Sequence, residues 1–397
     1  MKILTSKFSG PTPNTPAKYC VFSHFDANDR VERYVLHYLE QLKLSGYEVL
    51  LVSTSRAISD ESVEALSRVC HTVCLRENVG YDFGSFKAGI GLLKQHGARV
   101  SRLLIANDSV FGPFNDLQPV LQAMEREDID LCGLTDSHDH GYHLQSYFIS
   151  YSARMYASAA FDNFWSSVDL ISNTTDNFKQ KIVHNYEVGG SQHFIEAGCS
   201  YAVVFPYHDI LDRLFQRVLD RLQRSRDPRA QIQVQAEELF FNLNASHRYW
   251  DELIDMGMPF IKRELLTKNP TGADLSSWPE KIASTSPYDV TMILEALIHQ
   301  NAIASIYPID MNKALAQIAS PIDTFEVPIS PSFDRWVNGT TVPAAVHFSF
   351  DDDAYLRSYP DIAAVVEAGD YPFGLAHFMH HGFAEGRKCV FKRVVKN

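Results

Sequence analysis

Three short stretches of the sequence place carboxylates and amides beside glycines, at spacings that could do chemistry. The first, RENVGYDFGSFKAGI, lies between a predicted strand and a predicted helix and carries Asn78, Gly80, Asp82 and Gly84. Glycine lets a ligand approach the backbone, and the free N–H groups at a helix start favour an anion such as a diphosphate. An ordinary strand-to-helix loop has the same composition, so the stretch alone does not separate the two interpretations.

The second stretch, LLIANDSVFGPF, ends a buried apolar run with Asn107 and Asp108. A carboxylate at the end of a buried strand can hold Mg²⁺ or Mn²⁺, and such an ion neutralises a diphosphate. The alternative is that Asp108 only caps a turn or a helix. The stretch alone leaves both interpretations open, with Asn107 and Asp108 as candidates for ligand and metal binding.

The third stretch, NYEVGGSQHFIEAG, places Glu187 before two glycines and a helix that ends at Gly198. A glutamate at a helix start often does no more than interact favourably with the helix dipole. The chemical alternative is a general base, because a hydroxyl group is a weak nucleophile until a carboxylate takes its proton.

Alternating strands and helices must position these residues. From about residue 18 the chain reads KYCVFSHFD as a strand, then a helix closed by Gly46, then YEVLLVSTS and a helix capped by Ser59 or Asp60. HTVCLREN, SFKAGIGLLKQHG and SRLLIANDS continue the alternation as strand, helix and strand. Short connections between such elements predict an α/β fold with a mainly parallel sheet, covered by helices on both faces.

Ligands of such sheets bind outside the carboxyl ends of the strands. This rule brings together residues 77–84 and 107–109 with the polar end of the first strand, which carries Ser23, His24 and Asp26. We therefore expect one site at this edge of the sheet.

Composition excludes several classes of function. The chain has 397 residues, of which 45% are hydrophobic, and a formal net charge of −12, which does not favour nucleic acid. The six cysteines form no CxxC pair, so neither a structural zinc site nor a disulfide framework is expected. No apolar run of membrane-spanning or signal-peptide length occurs, which predicts a cytoplasmic protein, peripheral at the inner membrane only if a partner carries it there.

The stretches together resemble the rhamnan synthesis F family of bacterial polysaccharide enzymes. The pieces VFSHFDANDRVERYVLHYL, RENVGYDFGSFKAG, LLIANDSVFGPF, GLTDS, HLQSYFI, YEVGGSQHF and PFIKRELL run in family order over about residues 18–268. A more distant likeness to inverting family 2 glycosyltransferases, especially rhamnosyltransferases, rests on the Asn78–Gly80 loop, Asn107–Asp108 and Glu187. Val188 stands where that family commonly has Asp, so Asp136 of GLTDS is a second candidate for the base.

The resemblance implies a glycosyltransferase-A-like fold and an inverting rhamnosyltransferase that uses a nucleotide-sugar donor, dTDP-L-rhamnose. The acceptor implied is a lipid-linked glycan or oligosaccharide of a bacterial surface polysaccharide such as O-antigen, lipopolysaccharide or rhamnan. On this view Glu187 or Asp136 is the catalytic base and Asp108 holds a divalent metal. The donor would be contacted by Ser23, His24, Asp26, Asn78, Gly80, Asp82, Gly84 and Asn107.

Composition and the extent of this resemblance together give the domain organisation. They predict an N-terminal arm at 1–17, a catalytic domain at 18–268, a helical extension and linker at 269–345, and a C-terminal helical module at 346–397. The linker is marked by prolines at 321, 328 and 331. The module, YLRSYPDIAAVVEAG to HFMHHGFAEGR, is similar to a unit that recurs in polysaccharide-synthesis proteins and would dock a partner, a glycan or an assembly complex.

Two other functions remain open. A non-catalytic glycan-binding or scaffold subunit is compatible with the Asn-Asp-Ser sequence at 107–109, which departs from the usual transferase form, and with the extra C-terminal module. A nucleotidyltransferase would share the parallel sheet, but it predicts a basic, glycine-rich loop near the N-terminus, which VFSHFDAND lacks.

Overall fold

The computed structural model describes residues 3–8, 15–171, 177–224, 244–300, 347–382, 385, 387 and 391–394. They divide into two compact units, one built from Met1–Pro206 with Asn244–Pro308 and the other from Tyr207–Leu243 with Ile309–Asn397. The predicted linker with its three prolines lies outside the described residues. Within the described ranges, no helix is long and apolar enough to cross a membrane.

The first unit alternates strands and helices. Its strands are β1 (Ile3–Phe8), β2 (Ala17–His24), β3 (Tyr47–Ser53), β4 (Thr72–Arg76), β5 (Val100–Asn107), β6 (Val110–Phe111), β7 (Leu131–Ser137), β8 (His143–Leu144), β9 (Phe148–Ser152), β10 (Tyr201–Phe205) and β11 (Ile261–Lys262). Its helices before residue 200 are α1 (Arg33–Leu44), α2 (Asp60–Val69), α3 (Tyr81–Gln95), α4 (Gln118–Met124), α5 (Ala153–Tyr156), α6 (Ala159–Ser167), α7 (Phe178–Ile182) and α8 (Gly189–Glu196). The π-helical turn Val183–Val188 joins α7 to α8. Five short helices follow residue 244: α10 (Ala245–Arg248), α11 (Trp250–Asp255), α12 (Arg263–Lys268), α13 (Trp278–Thr285) and α14 (Thr291–His299).

One large sheet forms the centre of this unit, with strand order β1-β4-β3-β2-β5-β9-β7-β10 and β8 added beside β7. The pairs β2–β3, β3–β4, β2–β5 and β7–β10 are parallel. The strands β1 and β9 run antiparallel to their neighbours. The predicted α/β class with a mainly parallel sheet is therefore confirmed.

The apolar strands are buried because helices cover both faces of the sheet. The central residues of β5, Leu103, Leu104 and Ile105, are each at most 1% exposed. Burying such a side chain contributes about 1.5–3 kcal/mol. Helix α3 lies so close to β2 that a Cβ on Gly89 would be 2.3 Å from Val21 Cγ1. A glycine at this position is what lets the helix approach the strand.

A small second sheet continues from the end of β5. Its two strands, β6 and β11, pair antiparallel, with Val110 opposite Lys262. The N–H of Arg263 donates to the carbonyl of Ser109 at 2.8 Å, which extends the pairing by one residue. The connection fits only because Gly112 has no side chain, since its Cβ would lie 2.4 Å from the Pro259 carbonyl. This pairing carries residues 262 and 263 to the carboxyl end of β5.

The second unit contains α9 (Tyr207–Arg224), β12 (His347–Phe350), α15 (Asp352–Ser358), α16 (Pro360–Glu367), α17 (Gly374–His377), a π-helical turn at Phe378–Gly382 and β13 (Phe391–Val394). Asp351 caps α15 by accepting from the N–H of Ala354, as predicted for the acidic run at this helix start. Asp352 accepts from His208 Nε2 at 3.1 Å and from the N–H of Leu375 at 2.6 Å. These bonds explain why α9 groups with the C-terminal helices, whereas the sequence places it in the domain at 18–268.

Three further segments differ from expectation. Residues 3–8, within the predicted arm, form β1 at the sheet edge, where pairing with β4 satisfies one side of the strand. The helices α13 and α14, within the predicted extension, belong to the first unit, where Arg33 pairs with Asp289 and Glu295. The predicted loop at Gly189 and Gly190 is helical, since a Cβ on Gly190 would lie 2.7 Å from the Phe164 ring; the glycine there makes room for an aromatic ring and does not form a turn.

Candidate active site

Four polar residues meet where β2 and β5 end and α3 begins; we call them the strand-end cluster. Ser23 Oγ donates to Asp82 Oδ1 at 2.9 Å, and Asn107 Nδ2 donates to Asp82 Oδ2 at 3.0 Å. The N–H of Asp108 donates to the carbonyl of Ser23 at 3.2 Å. The carboxyl ends of adjacent parallel strands thus bring together four of the residues that the sequence selected.

Burial of Asp82 raises its pKa to about 6, and the nearby charge of Asp108 acts in the same direction. The hydrogen bonds from Ser23 and Asn107 and the charge of Arg263 oppose this shift without cancelling it. A carboxyl group with such a pKa changes its protonation near neutral pH, and groups of this kind are frequent at functional sites.

Asp108 is held by a cation from the far end of the unit's sequence. Arg263 Nη1 donates to Asp108 Oδ2 at 3.3 Å and to the Tyr34 hydroxyl at 2.9 Å. The N–H of Phe25 donates to the same carboxylate oxygen at 3.2 Å. The Asp108 side chain is only 8% exposed, so this ion pair is well shielded from solvent. Sequence reasoning assigned no role to Arg263, although it lies in the PFIKRELL piece.

Lys262, the neighbour of Arg263, is the second cation of the site. Its Nζ lies 3.6 Å from the centre of the Tyr147 ring, a cation–π contact. Burial lowers its pKa to about 8, and the charges of Glu187, Glu264 and Asp82 oppose that shift. The ammonium group therefore lies within electrostatic reach of both the strand-end cluster and Glu187.

Glu187 lies in the π-helical turn before α8. Its Oε1 accepts from the N–H of Ser146 at 2.7 Å and from Ser146 Oγ at 2.8 Å. Oε1 accepts both hydrogen bonds, and no described residue donates to Oε2. A glutamate oriented in this way presents one carboxylate oxygen for proton transfer.

Asp136, the second candidate for the base, lies near Glu187. Burial raises the pKa of Tyr147, and the charges of Glu187 and Asp136 both contribute to that rise. Asp136 is 6% exposed and hydrogen-bonds with Tyr142. Both candidate bases thus lie within electrostatic reach of Tyr147.

The side chains of His24 and Asp26 form hydrogen bonds with other residues of the protein. His24 is 2% exposed, and its Nδ1 lies 2.9 Å from Ser53 Oγ. Asp26 accepts from the N–H groups of Asn28 and Arg30, at 2.8 and 3.1 Å, and thereby shapes the loop before α1. Of the three residues predicted at the end of β2, only Ser23 joins the strand-end cluster.

The loop before α3 is built around Arg76. This side chain is 1% exposed, and its guanidinium donates to the carbonyls of Glu77, Val79 and Tyr81. A Cβ on Gly84 would lie 2.8 Å from Arg76 Nη2. The open space at Gly84 is therefore taken by Arg76, which differs from the predicted close approach of a ligand.

The other two residues predicted in this loop also lie apart from the cluster's hydrogen bonds. Gly80 adopts φ +75° at the start of α3, and its N–H donates to the Ile171 carbonyl at 2.9 Å. Asn78 is exposed. A left-handed backbone at the helix start explains why glycine is needed at position 80.

Two exposed aromatic side chains flank the strand-end cluster. Phe25 directly follows β2 and is 42% exposed, and Tyr81 directly precedes Asp82 and is 41% exposed. Large exposed rings beside a polar cluster can stack on a nucleobase or a sugar ring. Neither ring could be singled out from the sequence, because an isolated aromatic residue beside a strand end gives no periodic pattern.

The predicted metal site at Asp108 can be tested against these contacts. Within the described ranges, no group of three His, Cys, Asp or Glu residues could hold a metal ion. Both oxygens of Asp82 accept hydrogen bonds, and Asp108 Oδ2 accepts two. Magnesium often keeps only one or two protein carboxylates when a substrate phosphate supplies other ligands. Asp108 Oδ1 accepts no hydrogen bond from a described residue, but an ion placed there would lie close to the positive charge of Arg263 on Oδ2.

Solved structures similar to this chain have low TM-scores and low sequence identity. The glycosyltransferase GlyE of Streptococcus pneumoniae is 11% identical, with a TM-score of 0.35, over 72% of this chain and 64% of that one. The bifunctional glycosyltransferase WbbM is 11% identical, with a TM-score of 0.31, over 72% and 52%. At these values neither likeness supports an assignment.

Sequence relatives are more informative. Virulence protein VirA of Vibrio anguillarum is 30% identical over 240 residues, which span 58% of this chain and 73% of VirA. The uncharacterized protein y4gN of Sinorhizobium fredii is 27% identical over 177 residues, or 44% of this chain and 45% of y4gN. Residues 49–218, which include Asp82, Asp108 and Glu187, match the family described as Rhamnan synthesis protein F. By this match and the length shared with VirA, the chain belongs to the rhamnan synthesis protein F family.

Proposed function

We propose that this chain is a glycosyltransferase that uses a nucleotide-sugar donor. The observation that carries the proposal is the strand-end cluster, in which Ser23, Asn107 and Asp108 surround Asp82 at the carboxyl ends of β2 and β5. Hydroxyl, amide and carboxyl groups suit the hydroxyls of a ribose or a sugar. Phe25 and Tyr81 beside the cluster, and the family assignment, support a ligand with both a ring and polar groups.

The chemistry follows from the position of Glu187. An acceptor hydroxyl attacks the anomeric carbon of the donor sugar while its proton passes to Glu187 Oε2. The bond between that carbon and the diphosphate oxygen breaks, the electron pair leaves with the diphosphate, and the anomeric centre inverts. Two hydrogen bonds from Ser146 orient the carboxylate through Oε1, which supports Oε2 as the proton acceptor. Asp136 stays the second candidate, although its bond with Tyr142 leaves it less accessible.

The finer part of the proposal concerns substrate. The family name and the sequence resemblance favour a rhamnosyltransferase that takes dTDP-L-rhamnose and extends a lipid-linked or oligosaccharide precursor of a bacterial surface polysaccharide. The diphosphate requires neutralising positive charge, supplied either by a divalent ion at Asp108 Oδ1 or by cationic side chains of the site.

Calorimetric titration of the full chain with dTDP, UDP and GDP, each with and without Mn²⁺, tests the proposal. One nucleotide should bind, Asp108→Asn should weaken that binding at least about tenfold because a cation of the site loses its counter-charge, and Glu40→Gln should not. Glu40 is an exposed carboxylate on α1, so it is a matched control for the same chemical change. Binding of no nucleotide would contradict the transferase and favour a glycan-binding scaffold.

A further inference from the structure

We propose that Arg263 and Lys262 bind the diphosphate of the donor, so that two side chains of the protein neutralise the leaving group and no metal ion is required. This inference rests on the proposed function, because it needs a nucleotide-sugar donor in the strand-end cluster. It assigns a catalytic role to two residues for which the sequence analysis found none.

The two cations are fixed in place by backbone pairing. Lys262 is the last residue of β11 and pairs with Val110, two residues beyond Asp108. The N–H of Arg263 donates to the Ser109 carbonyl at 2.8 Å. Because both residues are anchored to the chain that leaves β5, their side chains start from the strand-end edge, where the donor is proposed to bind.

The Arg263 guanidinium has N–H donors that form no hydrogen bond with a described residue. Its described hydrogen bonds, to Asp108 and to the Tyr34 hydroxyl, both come from Nη1. A guanidinium has five N–H donors, so Nε and Nη2 can still form the parallel bonds that a phosphate group accepts. The side chain is 24% exposed, which leaves this face within reach of a ligand. Asp108 then acts as a positioning residue that orients the guanidinium.

Lys262 is a cation that contacts no carboxylate within the described ranges. Among the described residues it forms neither a hydrogen bond nor an ion pair through Nζ, and its close neighbour is the Tyr147 ring. A half-buried ammonium group in this state is less stable in its charged form, in line with its pKa of about 8. A diphosphate would supply the missing anionic partner. The charges of Glu187, Glu264 and Asp82 all act on Lys262, so its ammonium group is within electrostatic reach of both the proposed donor site and the proposed base.

A metal ion at Asp108 is less well accommodated than the two cations. Asp108 Oδ2 already accepts from Arg263, so a divalent ion on the same carboxylate would lie close to a permanent positive charge and be repelled. When the bond to the anomeric carbon breaks, the electron pair stays on the diphosphate oxygen. Preorganised donors from Arg263 and Lys262 stabilise that added charge without proton transfer.

Calorimetry of the full chain in EDTA and in Mn²⁺ tests this inference with three probes: the nucleoside diphosphate that the wild type prefers, the same nucleoside without phosphate, and inorganic pyrophosphate. We expect the wild type to bind the diphosphate equally well in EDTA. The variant Lys262→Met should weaken that binding about 10- to 100-fold, the usual loss for a charge-assisted bond, and leave nucleoside binding unchanged. Lys262→Arg should restore most of the affinity, whereas Lys268→Met, an exposed cation of α12, should behave as the wild type.

Arg263→Gln should have the larger effect, but it leaves the carboxylate of Asp108 without its cation and can also unfold the protein. Lys262→Met avoids that difficulty, and a thermal unfolding curve beside each titration shows which variants are folded. Diphosphate binding that disappears in EDTA and returns with Mn²⁺, or that is unchanged in Lys262→Met, would overturn the inference and leave the transferase in place. A wild type that binds none of the nucleotides in either buffer would overturn both.

Discussion

The guanidinium of Arg263 lies 3.3 Å from the carboxylate of Asp108, although 155 positions separate them in the chain. The pair joins the end of a central strand to the start of a short helix. It makes the strand-end carboxylate a positioning group for a cation, and it is the contact around which the site is organised.

This pair should contribute more to stability than an exposed ion pair of the same type. We expect Asp108→Asn to lower the free energy of unfolding by about 2–4 kcal/mol, because a shielded guanidinium loses its counter-charge. Asp128→Asn, which breaks the exposed pair with Arg126, should lower the free energy of unfolding far less, because solvent screens that pair. Urea unfolding of both variants measures the difference, and equal losses would contradict the importance of the Asp108 pair.

Glu187→Gln should separate catalysis from binding. The amide oxygen can still accept both bonds from Ser146, so the fold and the affinity for the nucleoside diphosphate should be unchanged. Without a base, kcat should fall about 10²- to 10⁴-fold, measured as release of the diphosphate from the donor. Glu196→Gln, an exposed carboxylate on α8, is the control. A larger loss in Asp136→Asn with normal rates in Glu187→Gln would move the base to Asp136.

Asp82→Asn should stabilise the protein in a pH-dependent way. Because the folded-state pKa of Asp82 is raised to about 6, the stability linked to its protonation is present at low pH and is lost as the pH rises through 6. An asparagine avoids this loss, and it can accept from Asn107 and donate to Ser23. The gain in free energy of unfolding over the wild type should therefore be larger at pH 7.5 than at pH 4.5. Urea unfolding of the wild type and the variant at both pH values measures this gain. An equal gain at the two pH values would contradict the raised pKa of Asp82.

Two glycines of α3 should respond in opposite directions to the same substitution. A Cβ on Gly84 would lie 2.6 Å from the Val79 carbonyl, whereas a Cβ on Gly91 meets nothing within 4 Å. Gly84→Ala should lower the free energy of unfolding by about 1–3 kcal/mol, since it crowds the loop held by Arg76. Gly91→Ala should raise it by about 0.5–1 kcal/mol, because alanine favours a helix. A stabilising Gly84→Ala, measured by urea unfolding, would show that the loop is looser than its contacts indicate.

The sequence predicts the strand-end cluster well and its cations poorly. Ser23 and Asn107 follow long apolar runs, so the ends of their strands and the edge they share can be read from local pattern. Lys262 and Arg263 reach the same edge through β6 and β11, strands of two residues that are too short to show a period of two. The position of Lys262 and Arg263 depends on the pairing of β6 with β11, two segments far apart in the chain, and no local sequence pattern predicts that pairing.

Glu187 shows a different kind of limit. Two glycines after it favour a loop by local propensity, yet the structure is helical through the turn and α8. The Phe164 ring packs where a side chain at position 190 would lie. Glycine is only about 1 kcal/mol less favourable in a helix than alanine, so this packing outweighs its low helix propensity. The sequence therefore identifies Glu187 as a candidate base, but the helical backbone around it depends on contacts with residues outside this stretch.

A crystal structure of the protein with a bound nucleoside diphosphate tests the central claim most directly. We expect the ligand at the carboxyl ends of β2 and β5, with phosphate oxygens within about 3.5 Å of the Arg263 guanidinium and the ribose hydroxyls at Asp82. A nucleotide bound elsewhere on the chain, with no contact to Asp82, Asp108 or Arg263, would contradict it.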